Sequence, residues 1–228
     1  MSPTGFDDDG RMGIVRFQVA ISLDGYIAGP MQSLENPMGV GGLRLHAWAF
    51  ELESWRASVG DTGGETNASS QVVEEAGANV GAYVMGRNMF GGGPGPWAND
   101  PPWMGWWGDD PPYHTPVFVL THHPRAPLEM AGGTTFHFVT DGIESALSQA
   151  RAAAGDRDIV IGGGAETIRE FLAAGLVDEF ELHIAPVLLG AGERPLDAVG
   201  DLPLEQLRVL DAPGVAHVKY RVLRAPVA

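Results

Sequence analysis

A chain of 228 residues with 44% hydrophobic and 19% charged composition has enough apolar side chain for a sizeable buried core. Its formal charge of −15, with Lys219 the one lysine among 14 basic residues, argues against broad binding to nucleic acid or anionic membrane. Having no cysteine excludes disulfides, thiolate catalysis and Cys-ligated metal.

The N-terminal "MSPTGFDDDGRMG" is acidic and lacks the apolar core of a secretory signal, so residues 1–12 read as a short disordered lead-in. No apolar run reaches the roughly 18 residues of a membrane span, and a cytoplasmic location is the default expectation. "IVRFQVAI" (14–21) is β-branched and apolar, a largely buried first strand, and Asp24-Gly25 supplies the turn after it. "LRLHAWAFELESWR" places Leu45, Trp48, Ala49, Leu52 and Trp55 at helical spacing, which predicts one amphipathic helix. After a Gly/Thr/Asn loop, "SQVVEEAGA" reads as a short helix capped by Ser69 or Ser70. "VGAYVMG" is a strand ending at Gly86.

The segment 91–116 is too rich in Gly, Pro and Trp for a helix or an interior strand. It holds Trp97, Trp103, Trp106 and Trp107, and two readings stand: a surface loop whose indoles cover apolar core, or a lid over a substrate. Beyond it, "PVFVLT" and "TTFHFVT" are strands and "IESALSQARAAA" is a helix. "DIVIG" is a strand, "AETIREFLAAG" a helix and "VDEFELHIAPVLLG" a strand. Two last strands surround an Ala-Pro-Gly turn as a C-terminal hairpin. Alternating strands and helices ending in a hairpin predict an α/β fold with a mixed, mostly parallel sheet, and 13–228 as a single domain.

In such a sheet, ligands bind beyond the carboxyl ends of the strands. Four strand ends carry polar or Gly-rich sequence: Ser22 to Gly25, Gly86-Arg87-Asn88, Thr121-His122-His123 and Gly162-Gly163-Gly164. The glycine triplet opens a helix, whose first-turn N–H groups attract anions, and glycines let a phosphate approach the backbone. It lacks the residues of a P-loop and the spacing of a Rossmann fingerprint, so by itself it reads as a tight strand-to-helix turn ahead of a phosphate cradle. Asp24, between apolar segments, reads as a turn residue or as a polar contact that could relay a proton. His122 and His123 project to opposite sides of a strand and make a poor chelating pair, so no metal is expected.

Taken in order, "ISLDGYIAG", "YVMGRNMF", "VFVLTHHP" and "IVIGGGAETIREFLAAGLVDEFELHIAPVLLGAG" closely resemble the dihydrofolate-reductase-like proteins. The proteins the chain resembles are those related to the reductase domain of the bifunctional riboflavin-biosynthesis deaminase-reductase. The likeness runs from about Val15 to Arg224. It implies a three-layer α/β/α dihydrofolate-reductase-like fold around an eight-stranded mixed sheet, a homodimer, and NADPH as hydride donor. By the resemblance, Gly162, Gly163, Gly164, Ala165, Glu166 and Thr167 form the pyrophosphate loop, and Gly86, Arg87 and Asn88 a second phosphate-binding turn. Thr121, His122 and His123 meet the adenosine ribose and its 2′-phosphate, and Ala20, Ile21 and the Asp24-Gly25 turn border nicotinamide and substrate. The expected substrate contacts are Asp24, Trp48, Phe50 and Trp97. Tyr26 stands where the riboflavin-pathway reductases typically carry Lys. Neither Glu51 nor Glu53 aligns with the carboxylate that meets the pterin in dihydrofolate reductase. The expected activity is therefore NADPH-dependent reduction of a pterin-like, pyrimidine-like or other conjugated small molecule. Two alternatives stand beside it: nucleotide binding without turnover, and a partner-binding module presenting the Trp-rich loop.

Overall fold

A computed structural model describes residues 13–98 and 102–224. The expected lead-in, 1–12, lies outside the described residues. The chain runs β1 (Val15–Ser22), a 3-10 turn (Gly42–His46), α1 (Ala47–Phe50), α2 (Glu53–Ser58), α3 (Ala68–Gly77), β2 (Val80–Gly86) and α4 (Arg87–Phe90). It continues with β3 (Pro116–Leu120), β4 (Leu128–Glu129), β5 (Thr135–Val139), α5 (Ile143–Ala154), β6 (Asp158–Gly163) and α6 (Ala165–Ala173). Three strands close it: β7 (Glu179–Ala185), β8 (Leu204–Ala212) and β9 (Val215–Val222).

The strands form one sheet in the order β4-β5-β3-β2-β6-β1-β7-β9-β8. β5, β3, β2, β6, β1 and β7 are mutually parallel, and β4, β9 and β8 join antiparallel. The sheet has nine strands rather than eight, the extra one being the two-residue β4. One face packs on α5 and α6: Val15, Phe17 and Ile21 of β1, Ala82 and Val84 of β2 and Ile159 and Ile161 of β6 share one core with Ala146, Leu147 and Ala150 of α5 and Ile168, Phe171 and Leu172 of α6. Strand alternation sends the intervening residues to the other face. There the Trp-rich loop covers Met85, Val117, Val119 and Phe136, while the 3-10 turn covers Ala20 and Ala185 with Leu45.

Three elements depart from the expected pattern. The aromatic helix breaks into the 3-10 turn, α1 and α2, because Leu52 is extended (φ −74, ψ 142) and pairs with Glu65 as an isolated bridge. Leu52 is fully buried by this pairing, which outweighs helix propensity over one turn. α3 is capped by Asn67, whose side chain accepts the Ser69 N–H at 2.8 Å while Ser70 Oγ accepts the Asn67 N–H at 3.1 Å. The seventh strand stops at Ala185 because Pro186 has no N–H to continue the ladder.

Candidate functional site at the carboxyl edge of the sheet

Because β3, β2, β6, β1 and β7 are parallel neighbours, their carboxyl ends lie side by side. The four polar strand ends therefore meet on one edge, spanning about 15 Å from β3 to β1 at ~4.8 Å per strand.

Gly163 ends β6 at φ +108, a region that disfavours side chains, and Gly164 is the N-cap of α6. No side chain caps this helix, and a Cβ built on Gly163 or Gly164 meets nothing within 4 Å. The first-turn amides of α6 thus face open space. Gly162 differs: a Cβ there would meet Met85 at 3.8 Å, within the protein. The end of β2 is packed against this turn, since a Cβ on Gly86 would lie 2.5 Å from Thr167 Oγ1. Ala165 and Thr167 are buried in the turn, whereas Glu166 and Asn88 are exposed.

Beyond Gly86, Arg87 is fastened by its own loop. Its guanidinium donates to Gly91 O (3.2 Å), Gly93 O (2.9 Å) and Thr121 Oγ1 (3.4 Å). It also lies 3.2 Å from the centroid of the Trp97 ring. Arg125 approaches the same ring at 5.0 Å and donates to Trp103 O at 2.7 Å. Burial pushes both guanidinium pKa values down, and for Arg87 the neighbouring Arg125 charge adds to this. Among the described residues neither arginine pairs with a carboxylate. Thr121 Oγ1 accepts the His123 N–H at 3.1 Å, and His122 projects into solvent.

The indoles decide between the two readings of the Trp-rich loop. Trp97, Trp103 and Trp106 donate to His123 O, Phe90 O and Met89 O at 2.9–3.0 Å. Trp97, Trp103 and Trp107 pack on the buried Phe90 and Phe136 cluster. The loop is a fixed wall over core at the β2–β3 end. This corrects the placement of Trp97, which stands with the arginines and not with Trp48 and Phe50.

At the β1 end, Asp24 is a clasp. Its carboxylate accepts Ser22 Oγ–H at 2.5 Å, Leu189 N–H at 3.1 Å and Gly190 N–H at 2.7 Å. These hydrogen bonds, Ser22 first, hold its pKa down at about 2 despite some desolvation. Asp24 is therefore ionised and committed to the loop after β7, which favours the turn reading of this residue over the proton relay. The adjacent Gly25 completes the turn by donating its N–H to Ser22 O at 3.0 Å. Ala20 faces the Leu45 side, whereas Ile21 is buried in the α5–α6 core and presents no side chain to that face.

Opposite Ala20 in register is His183 of β7, itself opposite His217 of β9. Their Nδ1 atoms are 2.8 Å apart, and His217 Nε2 is 2.9 Å from Ser69 Oγ. Burial, the largest cause for both, pushes His183 to about 3 and His217 to about 4. Trp48 packs edge-on against both imidazoles at 5.3 and 5.0 Å. Phe50 turns away toward His46 and Trp55, so the two expected substrate aromatics point to different surroundings. Sequence reading offers Ser69 only as a helix cap and gives no role to His183 or His217. The alternation of the two histidines within "ELHIA" and "VAHVK" marks inward positions, but only the β7–β9 register pairs them.

The described residues include no group of three or more His, Cys, Asp or Glu placed to hold a metal, and no helix long and apolar enough to cross a membrane. The family model for the RibD C-terminal domain matches residues 14–215. The chain belongs to this family. A putative riboflavin biosynthesis protein from Shewanella sp. PV-4 superposes with a TM-score of 0.59 at 23% identity, covering 92% of this chain and 99% of that one. Enterococcus faecalis dihydrofolate reductase, complexed with NADP(H), gives 0.53 at 16% identity over 93% and 98%. A Thermotoga maritima diaminohydroxyphosphoribosylaminopyrimidine deaminase/5-amino-6-(5-phosphoribosylamino)uracil reductase gives 0.53 at 17%, with 57% of its chain covered. These likenesses place the RibD-family chain in the dihydrofolate-reductase-like α/β fold. Bacillus subtilis YyaP, an uncharacterized protein, is 43% identical over 56 residues, which is 29% of that protein's length.

Proposed function

We propose that this RibD-family protein is an NADPH-dependent reductase of a small conjugated substrate. The observation that carries the reading is the juxtaposition along one sheet edge of an open glycine turn and two arginines that pair with no carboxylate among the described residues. The α6 amides behind Gly163 and Gly164 hold the pyrophosphate, where a Cβ would otherwise fill the approach. One and two strands away, Arg87 and Arg125, with Thr121 between them, take the 2′-phosphate. Trp97 fixes both guanidinium groups, so they meet the phosphate already oriented. When bound, the cofactor supplies the hydride. The chain's contribution is to hold the reacting partners at the β1 edge, where Ala20 provides a small, buried surface and Asp24 keeps the two flanking loops together.

Fluorescence titration with NADPH tests the reading directly. Saturable binding below millimolar concentration, with oxidation of NADPH by a panel of dihydropterin, pyrimidine and quinone compounds, is the expected result. A second reading, cofactor binding without turnover, draws on the commitment of Asp24 to Leu189 and Gly190. Saturable binding with no oxidation across the panel would favour it.

A further inference from the structure

Beside Ala20 the β1 edge holds a polar side chain whose free nitrogen has no structural task. Ala20 of β1, His183 of β7 and His217 of β9 stand in one row across three neighbouring strands. Ala20 and His183 each keep a little exposure, 7% and 6%, while His217 keeps none. His183 Nε2 has no hydrogen-bond partner among the described residues. It is nevertheless not one of the unpartnered atoms closed off from solvent, which include His46 Nδ1 and Trp48 Nε1 nearby. The imidazole thus turns one nitrogen inward to His217 and leaves the other open in the Ala20 row.

Which nitrogen of His183 carries hydrogen follows from the buried end of the chain of contacts. Two Nδ1 atoms 2.8 Å apart share one hydrogen, so one ring donates and the other accepts. His217 Nε2 lies 2.9 Å from Ser69 Oγ, which is buried and has no other partner among the described residues. Were Ser69 to accept from His217, its own hydroxyl hydrogen would be buried without an acceptor, an unfavourable arrangement. Ser69 therefore donates to His217 Nε2, His217 Nδ1–H donates to His183 Nδ1, and the ring hydrogen of His183 sits on Nε2. No carboxylate among the described residues hydrogen-bonds to either ring. Burial, the largest cause, keeps both rings uncharged at physiological pH, and the nearby His46 and Arg208 push His183 the same way.

We infer that His183 is the side chain that touches the reacting groups on this edge, presenting an Nε2–H whose position Ser69 dictates through His217. An uncharged imidazole N–H acts as an electrophile toward the substrate atom on which negative charge gathers. As the nicotinamide is oxidised, hydride bonds to a substrate carbon and the electron pair of the double bond it attacks moves to the neighbouring atom. His183 Nε2–H donates to that atom, and solvent supplies the proton. A net proton passed outward along the chain would leave an alkoxide at Ser69, so His183 is a hydrogen-bond donor and not the acid. Ser69 and His217 are positioning residues. The inference rests on the reductase reading and adds the side chain that faces its chemistry.

Imidazole nitrogens of the full ¹⁵N-labelled chain, read by two-bond ¹H–¹⁵N correlation, test the assignment. The His183 signals are identified by their loss in His183→Gln, or by contacts to the Ala20 methyl should that variant fail to fold. In the free protein at neutral pH, His183 is expected as the Nε2–H tautomer and His217 as the Nδ1–H tautomer. Ser69→Ala removes the hydroxyl donor at a helical position that alanine suits, and is expected to populate both tautomers of His183. NADPH is expected to move the His183 signals saturably. Adenosine 2′,5′-bisphosphate, which carries phosphates and no nicotinamide, is expected to leave them in place. His183→Leu is expected to slow NADPH oxidation at least tenfold and to keep NADPH affinity within twofold. A His183 ring protonated on Nδ1, an unchanged tautomer in Ser69→Ala, or a wild-type oxidation rate in folded His183→Leu would each overturn the inference. So would His183 signals that stay fixed while NADPH moves the Gly163 and Gly164 amides. NADPH that moves neither refutes the reductase reading and the contact with it, and the tautomers of the free protein still decide the Ser69–His217–His183 chain.

Discussion

At Gly163 the backbone itself calls for glycine, since φ is +108 and any side chain there is strained. Gly164 has φ −71 and free space around its missing Cβ, so its lack of a side chain serves approach from outside. Gly164→Val is therefore the cleaner variant. It should cost at least tenfold in NADPH affinity, about 1.4 kcal/mol, with the thermal midpoint nearly unchanged, as read by fluorescence titration and a melt. Gly86→Ala should do the reverse. Its Cβ collides with Thr167 Oγ1, and destabilisation of about 1–3 kcal/mol is expected by denaturant unfolding. Asp24 adds a prediction of its own. With its pKa lowered from 3.8 to about 2, its contribution is complete above pH 3.8 and is lost as pH falls through about 2. Asp24→Ala should accelerate amide exchange at Leu189 and Gly190 at neutral pH, where the wild-type clasp is closed.

The elements around α1 show how a pattern is divided by its neighbours. Trp48 and Trp55 fall on one helical stripe in sequence, yet Leu52 unwinds the turn between them. Trp48 then faces the imidazoles while Trp55 packs at a tilt against Phe50 at 5.0 Å. The His183–His217 pair beneath makes this region acid-sensitive. Both folded pKa values are depressed from the ordinary 6.5, so the unfolded chain binds more protons below that pH. Stability is full above about pH 6.5 and falls toward the folded values near 4 and 3. The melting temperature should drop between pH 6.5 and 4, and a His183→Gln/His217→Gln double variant should flatten that slope.

For the molecule as a whole, cofactor binding and stability are linked. NADPH at 100 times its Kd should add about 2.7 kcal/mol, raising the melting temperature by roughly 5–10 °C for a domain of this size. NADH at the same concentration should give a smaller shift. Arg87→Ala with Arg125→Ala should remove the difference, because those two guanidinium groups lie where the 2′-phosphate is proposed to sit. Equal shifts from the two cofactors in the wild type would contradict that placement.

What the sequence determined alone was local and repetitive. The helix at 143–154, the β6–α6 unit around its glycines and the C-terminal hairpin follow from propensity, alternation and turn residues, which act over a few positions. The convergence of the four polar strand ends on one edge was legible too, because parallel strands must present their carboxyl ends on one side. Tertiary structure alone decided the rest. Asn67 caps α3 in place of Ser69 or Ser70, and Ser69 Oγ inside the helix meets His217, 148 residues away. Leu52 left its helix to pair with Glu65, and Trp97 joined Arg87 rather than Trp48. Asp24 lost its freedom to two amides 165 and 166 residues further on. Each outcome turns on a partner distant in sequence, and register between non-adjacent strands is information that no local window contains.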